Sequence, residues 1–331
     1  MIKIGWWLSE AKQRKFDWPA VLDAFAAHKI SQVKLDAKTT TVEEFQSLDC
    51  ILHRAYGPDP SAVEMREWLQ QMLAAPGCPA IPVIDPIEAA DSLLHRERYF
   101  ARLSEAIENH HPGTCQWTIP NSATIKTAGT PKADNVDALR VQLASSHVKL
   151  PVVCKFVGLT TDAHQMAIAS TVAGLAEFVA EAPVGSTIVA QQFVNHGGVL
   201  HKIFVIGSAV HDVQRKSIRD LSDKDTETGL VRFDSSTISK ATSTSPLHQA
   251  AAAAATTTAT TTARSISVNT LQRLAQEVGD CLQLSLFGID VVIDSDTGEN
   301  VVIDVNYFPG YVGMPNVPEH VVRLVEARCR K

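Results

Sequence analysis

LFGIDVVIDSDTGENVVIDVNYFPGY, residues 286–311, holds two strand patterns rich in Val and Ile, separated by DSDTGEN, a turn by composition. With the turn centred on Thr297, residues whose numbers share a sum face each other, so Ile293 meets Val301 and Asp290 meets Asp304. Opposed side chains on an antiparallel ladder have Cβ atoms about 4.5–5.5 Å apart. Two ionised carboxylates at that separation repel by roughly 3 kcal/mol at an effective dielectric near 20, so positive charge must lie close by. Alternation along the strand places Asn306 on the face of Asp304 and adds an amide oxygen. Two carboxylates and an amide oxygen suit a hard divalent cation, Mg²⁺ first among them. Asp294 and Asp296 do not make a calcium loop, because Gly298 comes one residue early and the twelfth position lacks Glu.

The chain is 331 residues long, more than one core usually holds, with 45% hydrophobic and 20% charged residues, as expected of a globular enzyme. A net charge of −6 offers no general attraction for nucleic acid or an anionic membrane, so an anionic ligand needs a local basic patch. Six scattered cysteines without a CxxC pair argue against a zinc site and a disulfide framework. With no apolar signal core and no spanning run, the reading is a cytoplasmic protein.

From residue 2 to about 96, short apolar strands alternate with amphipathic helices, which implies a small parallel sheet covered on both faces. Ser9 to Lys15 reads as a basic loop at the carboxyl end of the first strand, where open sheets bind ligands. Pro86 is expected to open one long helix from Ile87 through Ala106, carrying Arg96 and Arg98. In LPVVCKF an apolar strand is interrupted by Lys155, and GLTTDAH then leads into a helix expected near Gln165. Asn195-His196-Gly197-Gly198 reads as a bend between lobes. In the strand after it Lys202 is the lone charge between Leu200 and Phe204, which implies a partly desolvated, uncompensated ammonium facing an anion. VQRKSIRD reads as a basic surface loop. Residues 235–267 turn abruptly into Ser, Thr and Ala without apolar periodicity, an insertion with no assigned core.

Two lysines in apolar strands, a glycine bend and a carboxylate-amide cluster together amount to a nucleoside triphosphate site. The chain has no GxxxxGKS or GxxxxGKT loop, no DFG, no HRD and no GxSxG, which excludes P-loop enzymes, protein kinases and common serine hydrolases. The ATP-grasp arrangement remains. Along nearly its whole length the chain resembles the inositol trisphosphate 5/6-kinase and inositol tetrakisphosphate 1-kinase family, through GWWLSEAK, VIDPIEAADSLLHR, LPVVCK, HQMAI, QQFVNHGGVLHKIFVIG, VQRKS, SLFGIDVVI and VIDVNYFPGY.

The resemblance implies an α/β ATP-grasp fold with an N-terminal Rossmann-like parallel-sheet domain at 1–95, a central subdomain at 96–192 and a C-terminal subdomain at 193–331. It implies Mg²⁺, two ions, on Asp290, Asp304 and Asn306. ATP would lie against Arg96, Lys155, Gln191, Gln192, Phe193, Val194, Lys202, Ser217, Ser235 and Ser239. Lys12, His164 and Lys202 would meet an inositol polyphosphate, with Asn306 and Gly310 close to it. Lys202, Asp304 and Asn306 would then be the catalytic set, in a monomer that transfers the γ-phosphoryl group of ATP to a ring hydroxyl. A carboxylate-amine ligase and an inositol phosphate-binding pseudokinase are the rival readings. Two departures stand out: GLTTDAH is shorter than the family's loop and lacks its extra His and Gly, and Lys216 stands where Pro is common.

Overall fold

Strand-helix alternation in the first ninety residues becomes a four-stranded parallel sheet in the computed structural model, which describes residues 1–109, 115–127, 132–157, 165–226, 229–238, 247 and 265–329. Its strands β1 (Lys3–Trp7), β2 (Ser31–Lys34), β3 (Cys50–His53) and β4 (Val83–Ile84) stand in the order β2-β1-β3-β4. Side-chain caps start the covering helices α1 (Glu10–Lys15), α2 (Trp18–Ala27), α3 (Val42–Gln46) and α4 (Pro60–Ala74), with Ser9, Asp17, Thr41 and Asp59 each accepting from a backbone N–H. The basic stretch expected as a loop is therefore helix α1, and the helix turns Lys12 into the interior.

The single helix expected after Pro86 is two, α5 (Ile87–Ser92) and α6 (Arg96–Glu108). His95 at the break has φ −117° and ψ 85°, outside the helical region, and a new axis starts at Arg96.

Next come β5 (Trp117–Thr118), β6 (Ser122–Lys126), α7 (Lys132–Ser145), β7 (Val152–Phe156), β8 (Gln165–Ala169), α8 (Val172–Glu181) and β9 (Thr187–Gln192). They are followed by β10 (Val199–Ile206), β11 (Ala209–Lys216), α9 (Asp223–Thr226), β12 (Leu230–Asp234), α10 (Ser235–Ile238), α11 (Val268–Leu282), β13 (Leu286–Ile293), β14 (Asn300–Tyr307) and α12 (Val317–Cys329). Two further sheets result, in the orders β12-β8-β7-β9-β6 and β11-β10-β13-β14-β5. Gln165 begins a strand rather than a helix, because Gln165-Met166-Ala167-Ile168-Ala169 pairs with both β7 and β12. The first half of VQRKSIRD, residues 213–216 of the stretch expected as a surface loop, is instead the end of strand β11, paired along its length with β10. The sheets also cross the boundaries expected from sequence: β5 joins the C-terminal sheet and β12 joins the central one.

The hairpin β13–β14 forms with Asp290 opposite Asp304, but Ile293 faces Asn300, not Val301. Val291 pairs with Val302 while Asp290 pairs with Asp304, so Ile303 has no residue opposite. That extra residue is a β-bulge, which shifts the register by one on the turn side.

One large core unites the N-terminal and C-terminal sheets, joining Trp6, Ile84 and Tyr99 to Phe287, Tyr307 and Phe308. Within the supposed insertion, Leu247 is 2% exposed and packs with Ile168, Phe233 and Ile238, and Ser235–Ile238 is helical. The expectation of a coreless insertion over 235–267 fails at these positions, where isolated apolar side chains find a small core outside any periodic pattern.

Candidate active site

Between the two five-stranded sheets lies a cavity of about 640 Å³. Its floor is a row across three adjacent strands: Lys202 on β10 is registered with Asp290 on β13, and Asp290 with Asp304 on β14. Apolar neighbours hold these strands in the core, so each charge in the row must find compensation locally. Lys202 Nζ lies 3.2 Å from Asp290 Oδ1 and donates to Oδ2 at 3.4 Å. The lone uncompensated ammonium expected from sequence is thus one half of an ion pair, because a strand 88 residues downstream brings its partner beside it.

Asp304 is held from three sides. Arg96 donates from Nε to Oδ1 at 3.3 Å and from Nη2 to Oδ2 at 3.2 Å, and the Tyr99 hydroxyl donates to Oδ1 at 2.7 Å. Burial alone would raise this carboxyl, but the charges of Arg96 and Lys155 and the Tyr99 hydrogen bond overcome it and hold Asp304 at about 2. Asp290 shifts the other way. Its burial, with the Asp304 charge adding to it, outweighs Lys202 and raises it above the usual carboxylate range.

Lys155 comes from the facing sheet. Its ammonium donates to Gln191 Oε1 at 2.7 Å and to the Ile303 carbonyl at 3.2 Å, so the bulge in β14 supplies one acceptor for the lysine across the cavity. Burial lowers Lys155 to about 8 against the pull of Asp304. Arg96 also reaches this sheet, donating to the Phe156 carbonyl at 3.4 Å.

Arg96, Lys155, Gln191, Gln192, Phe193, Val194, Lys202, Ser217 and Ser235 all line the cavity, as do Asp290, Asp304, Asn306 and Gly310. His164 and Ser239 lie outside the described residues. Lys12 does not line the cavity. Its ammonium is buried over the Phe308 ring and donates to the carbonyls of Phe308 and Pro309, both at 2.6 Å. Burial, then Arg54 and Lys15, lower it to about 6, so in this conformation Lys12 clamps the Asn306–Tyr311 turn from behind and presents no free charge to a phosphate.

Three contributors escaped the sequence reading. Tyr99 stands three residues after Arg96, one helical turn on, and that spacing was its only signal. Arg54 closes β3 at the carboxyl edge of the parallel sheet, with its guanidinium 5.2 Å from the Tyr56 ring centre and its Nε buried without a hydrogen bond. Tyr56 in turn is near enough to Asp304 and Arg96 to feel both charges. The third is the Ile303 carbonyl, which no side-chain pattern announces.

The donor set fits a hard divalent cation. Asp290 Oδ1 is buried and takes no hydrogen bond of acceptable geometry despite the nearby ammonium, and Asp304 and Asn306 bring further oxygens from the same face. Among the described residues no group of three or more His, Cys, Asp or Glu is placed to hold a metal ion.

Known proteins resemble the chain at two levels. Solved structures share the fold at 12–14% identity: a RimK-domain ATP-grasp protein from Sphaerobacter thermophilus at a TM-score of 0.55, covering 99% of this chain and 100% of that one, and the D-alanine–D-alanine ligase of Bacillus anthracis at 0.54, covering 100% and 98%. Curated relatives are nearer: inositol-tetrakisphosphate 1-kinase of Danio rerio, 29% identical over 95% of this chain and 75% of its own, and inositol-tetrakisphosphate 1-kinase 1 of Arabidopsis thaliana, 28% identical over 95% and 91%. Residues 3–90 match the inositol 1,3,4-trisphosphate 5/6-kinase pre-ATP-grasp domain. Residues 124–326 match the ATP-grasp domain of the same family, so the chain belongs to the inositol 1,3,4-trisphosphate 5/6-kinase family of ATP-grasp kinases.

Proposed function

We propose that the cavity binds ATP between the two sheets and passes its γ-phosphoryl group to a ring hydroxyl of an inositol tris- or tetrakisphosphate. The observation that carries this reading is the row Lys202, Asp290, Asp304 facing Lys155 and Arg96 across one cavity. Lys155 and Arg96 would meet phosphate oxygens, and Lys202 would meet the group in transit. Asp290, Asp304 and Asn306 would hold Mg²⁺, which when bound neutralises phosphate charge. Phosphoryl transfer has a loose transition state, so positioning and charge supply most of the rate and a strong base is not required. Arg54, half-buried beside Tyr56 with its Nε unpartnered, would offer a further cation to the inositol phosphates. We assign the protein to the cytosol as a monomer. Its six cysteines are free thiols, and no helix among the described residues is long and apolar enough to cross a membrane.

A screen of ATP consumption over inositol phosphates and over amino acid pairs, with and without Mg²⁺, tests the reading. Turnover with an inositol phosphate, Mg²⁺-dependent and abolished by Asp304→Asn, is expected. Turnover with amino acids alone would establish the ligase instead, and inositol phosphate binding without turnover would establish the pseudokinase.

A further inference from the structure

The bend Asn195-His196-Gly197-Gly198 links β9 to β10 and carries part of the cavity wall. Gly197 and Gly198 take φ of +64° and +69°, a left-handed pair that glycine adopts without strain. Two glycines in succession give the bend no stiffness of their own. Its shape is held from the loop after β11, where the Ser217 N–H donates to the Gly198 carbonyl at 2.8 Å, the Leu221 N–H donates to Asn195 Oδ1 at 2.9 Å, and Asp220 takes the two amides between: its Oδ1 accepts from the His196 N–H at 2.6 Å and from the Gly197 N–H at 2.7 Å. Consecutive amides converging on one oxygen make a small anion-holding concavity, and bonds to an ionised acceptor are about twice as strong as neutral ones. The other oxygen, Oδ2, accepts from Ser295 Oγ at 3.3 Å, and the Ser295 N–H donates to the Asn195 carbonyl at 2.8 Å. One carboxylate thereby ties the bend to the turn of the Asp290–Asp304 hairpin.

What the bend presents to the cavity follows from this hold. His196 Nδ1 lies 2.7 Å from the Val194 carbonyl, and a carbonyl only accepts, so Nδ1 bears the proton. Burial lowers the imidazole further into its neutral form. Nε2 therefore accepts from the Ser217 hydroxyl at 2.8 Å, committing that proton and leaving the serine oxygen lone pairs toward the cavity, which Val194, His196 and Ser217 all line.

We infer that Asp220 is a positioning residue for ATP, fixing the bend so that Val194, His196 and Ser217 meet the nucleotide in a preset arrangement. The inference rests on the reading that ATP occupies this side of the cavity. Asp220→Ala should raise KM for ATP about tenfold while kcat at saturating ATP and KM for the inositol phosphate stay within threefold. Asp220→Asn, whose carboxamide oxygen can still accept both amides, should return KM to within threefold of wild type. A purely structural role would lower kcat with the active fraction and leave KM for ATP unmoved, and that result overturns the inference, as does an Asn variant no better than Ala. Where Ala does not fold, Asp220→Glu carries the test: it keeps the charge but displaces the oxygen, so KM for ATP must still rise, and an unchanged KM overturns the proposal. Lys155→Met separates the two levels. If it raises KM for ATP while Asp220→Ala does not, only the role of Asp220 falls; if neither moves it, the ATP placement falls and the inference with it.

Discussion

At the residue scale, the charges of the site titrate where function would notice. Burial depresses Lys155 from 10.5 to about 8, so the free protein loses this ammonium as pH rises through 8. Phosphate oxygens arriving beside it would favour the charged form and retain the proton in the complex. The expected profile is therefore a kcat/KM for ATP that falls about tenfold per pH unit above roughly 8, with kcat itself flat, and a Lys155→Arg variant without the falling limb. A kcat/KM that stays level to pH 9.5 would remove Lys155 from the phosphate site. The same shift has a stability sign. A group with a depressed folded pKa adds stability above its unfolded value and loses it as pH falls through the folded one, so the ligand-free protein gains stability between about 8 and 10.5. Lys202 behaves differently from its sequence reading. Alone in an apolar stripe it would be a liability whose removal helps folding, but it neutralises Asp290, and Lys202→Met strands a half-buried carboxylate. The variant should be less stable to urea at neutral pH and slower by about 10²–10³. Retention of more than about a tenth of wild-type turnover would place Lys202 outside the reaction. The opposition of Asp290 and Asp304 was legible because a hairpin is local. The partner of Lys202 was not, since its pairing strand lies far along the chain.

Among the elements, the β13–β14 hairpin shows both what pattern reading reaches and where it stops. Alternation and turn composition are enough to pair the two aspartates, but alternation assumes one residue per position, and the bulge at Ile303 breaks that count. The error is small in register and large in consequence, because the carbonyl of the extra residue is what Lys155 finds. The base of the hairpin is fixed by a polar junction with the N-terminal sheet that sequence could not show. Tyr307 donates its hydroxyl proton to the His53 carbonyl at 3.0 Å and accepts from the Asp85 N–H at 3.2 Å, while Asp85 Oδ2 accepts from the Leu286 N–H at 2.8 Å. All of these groups are buried. Tyr307→Phe keeps the ring and strands one N–H and one carbonyl, which costs about 1–3 kcal/mol. Chemical denaturation should show that loss in the midpoint at an unchanged slope; a midpoint equal to wild type would mean that water or a shifted backbone satisfies both groups.

For the molecule as a whole, the parallel sheet of the first ninety residues was readable from strand-helix alternation, whereas the allocation of later strands was not, because β5 and β12 each join a sheet remote in sequence. Composition misled most over 235–267. A run of Ser, Thr and Ala without periodicity argues against a core, yet a single leucine needs no period to be buried. Leu247 packs with Ile168, Phe233 and Ile238, Phe193 lies against that cluster, and the Leu247 carbonyl accepts from the Arg219 N–H at 3.3 Å. Phe193 and Ile238 also line the cavity, so the cluster backs the wall assigned to ATP. The segment therefore divides at Leu247. Leu247→Ala should cost about 2–5 kcal/mol, the range for emptying a buried leucine site, and should weaken ATP binding along with the fold. Deleting 248–264, which removes the Ala and Thr run but spares the anchor, should leave ATP turnover within a few-fold and the denaturation midpoint near wild type. Deleting 241–263 takes Leu247 with it and should match Leu247→Ala in stability. Should the two deletions behave alike, the contacts of Leu247 would be incidental and the wall would stand on Ile168, Phe233 and Ile238 alone.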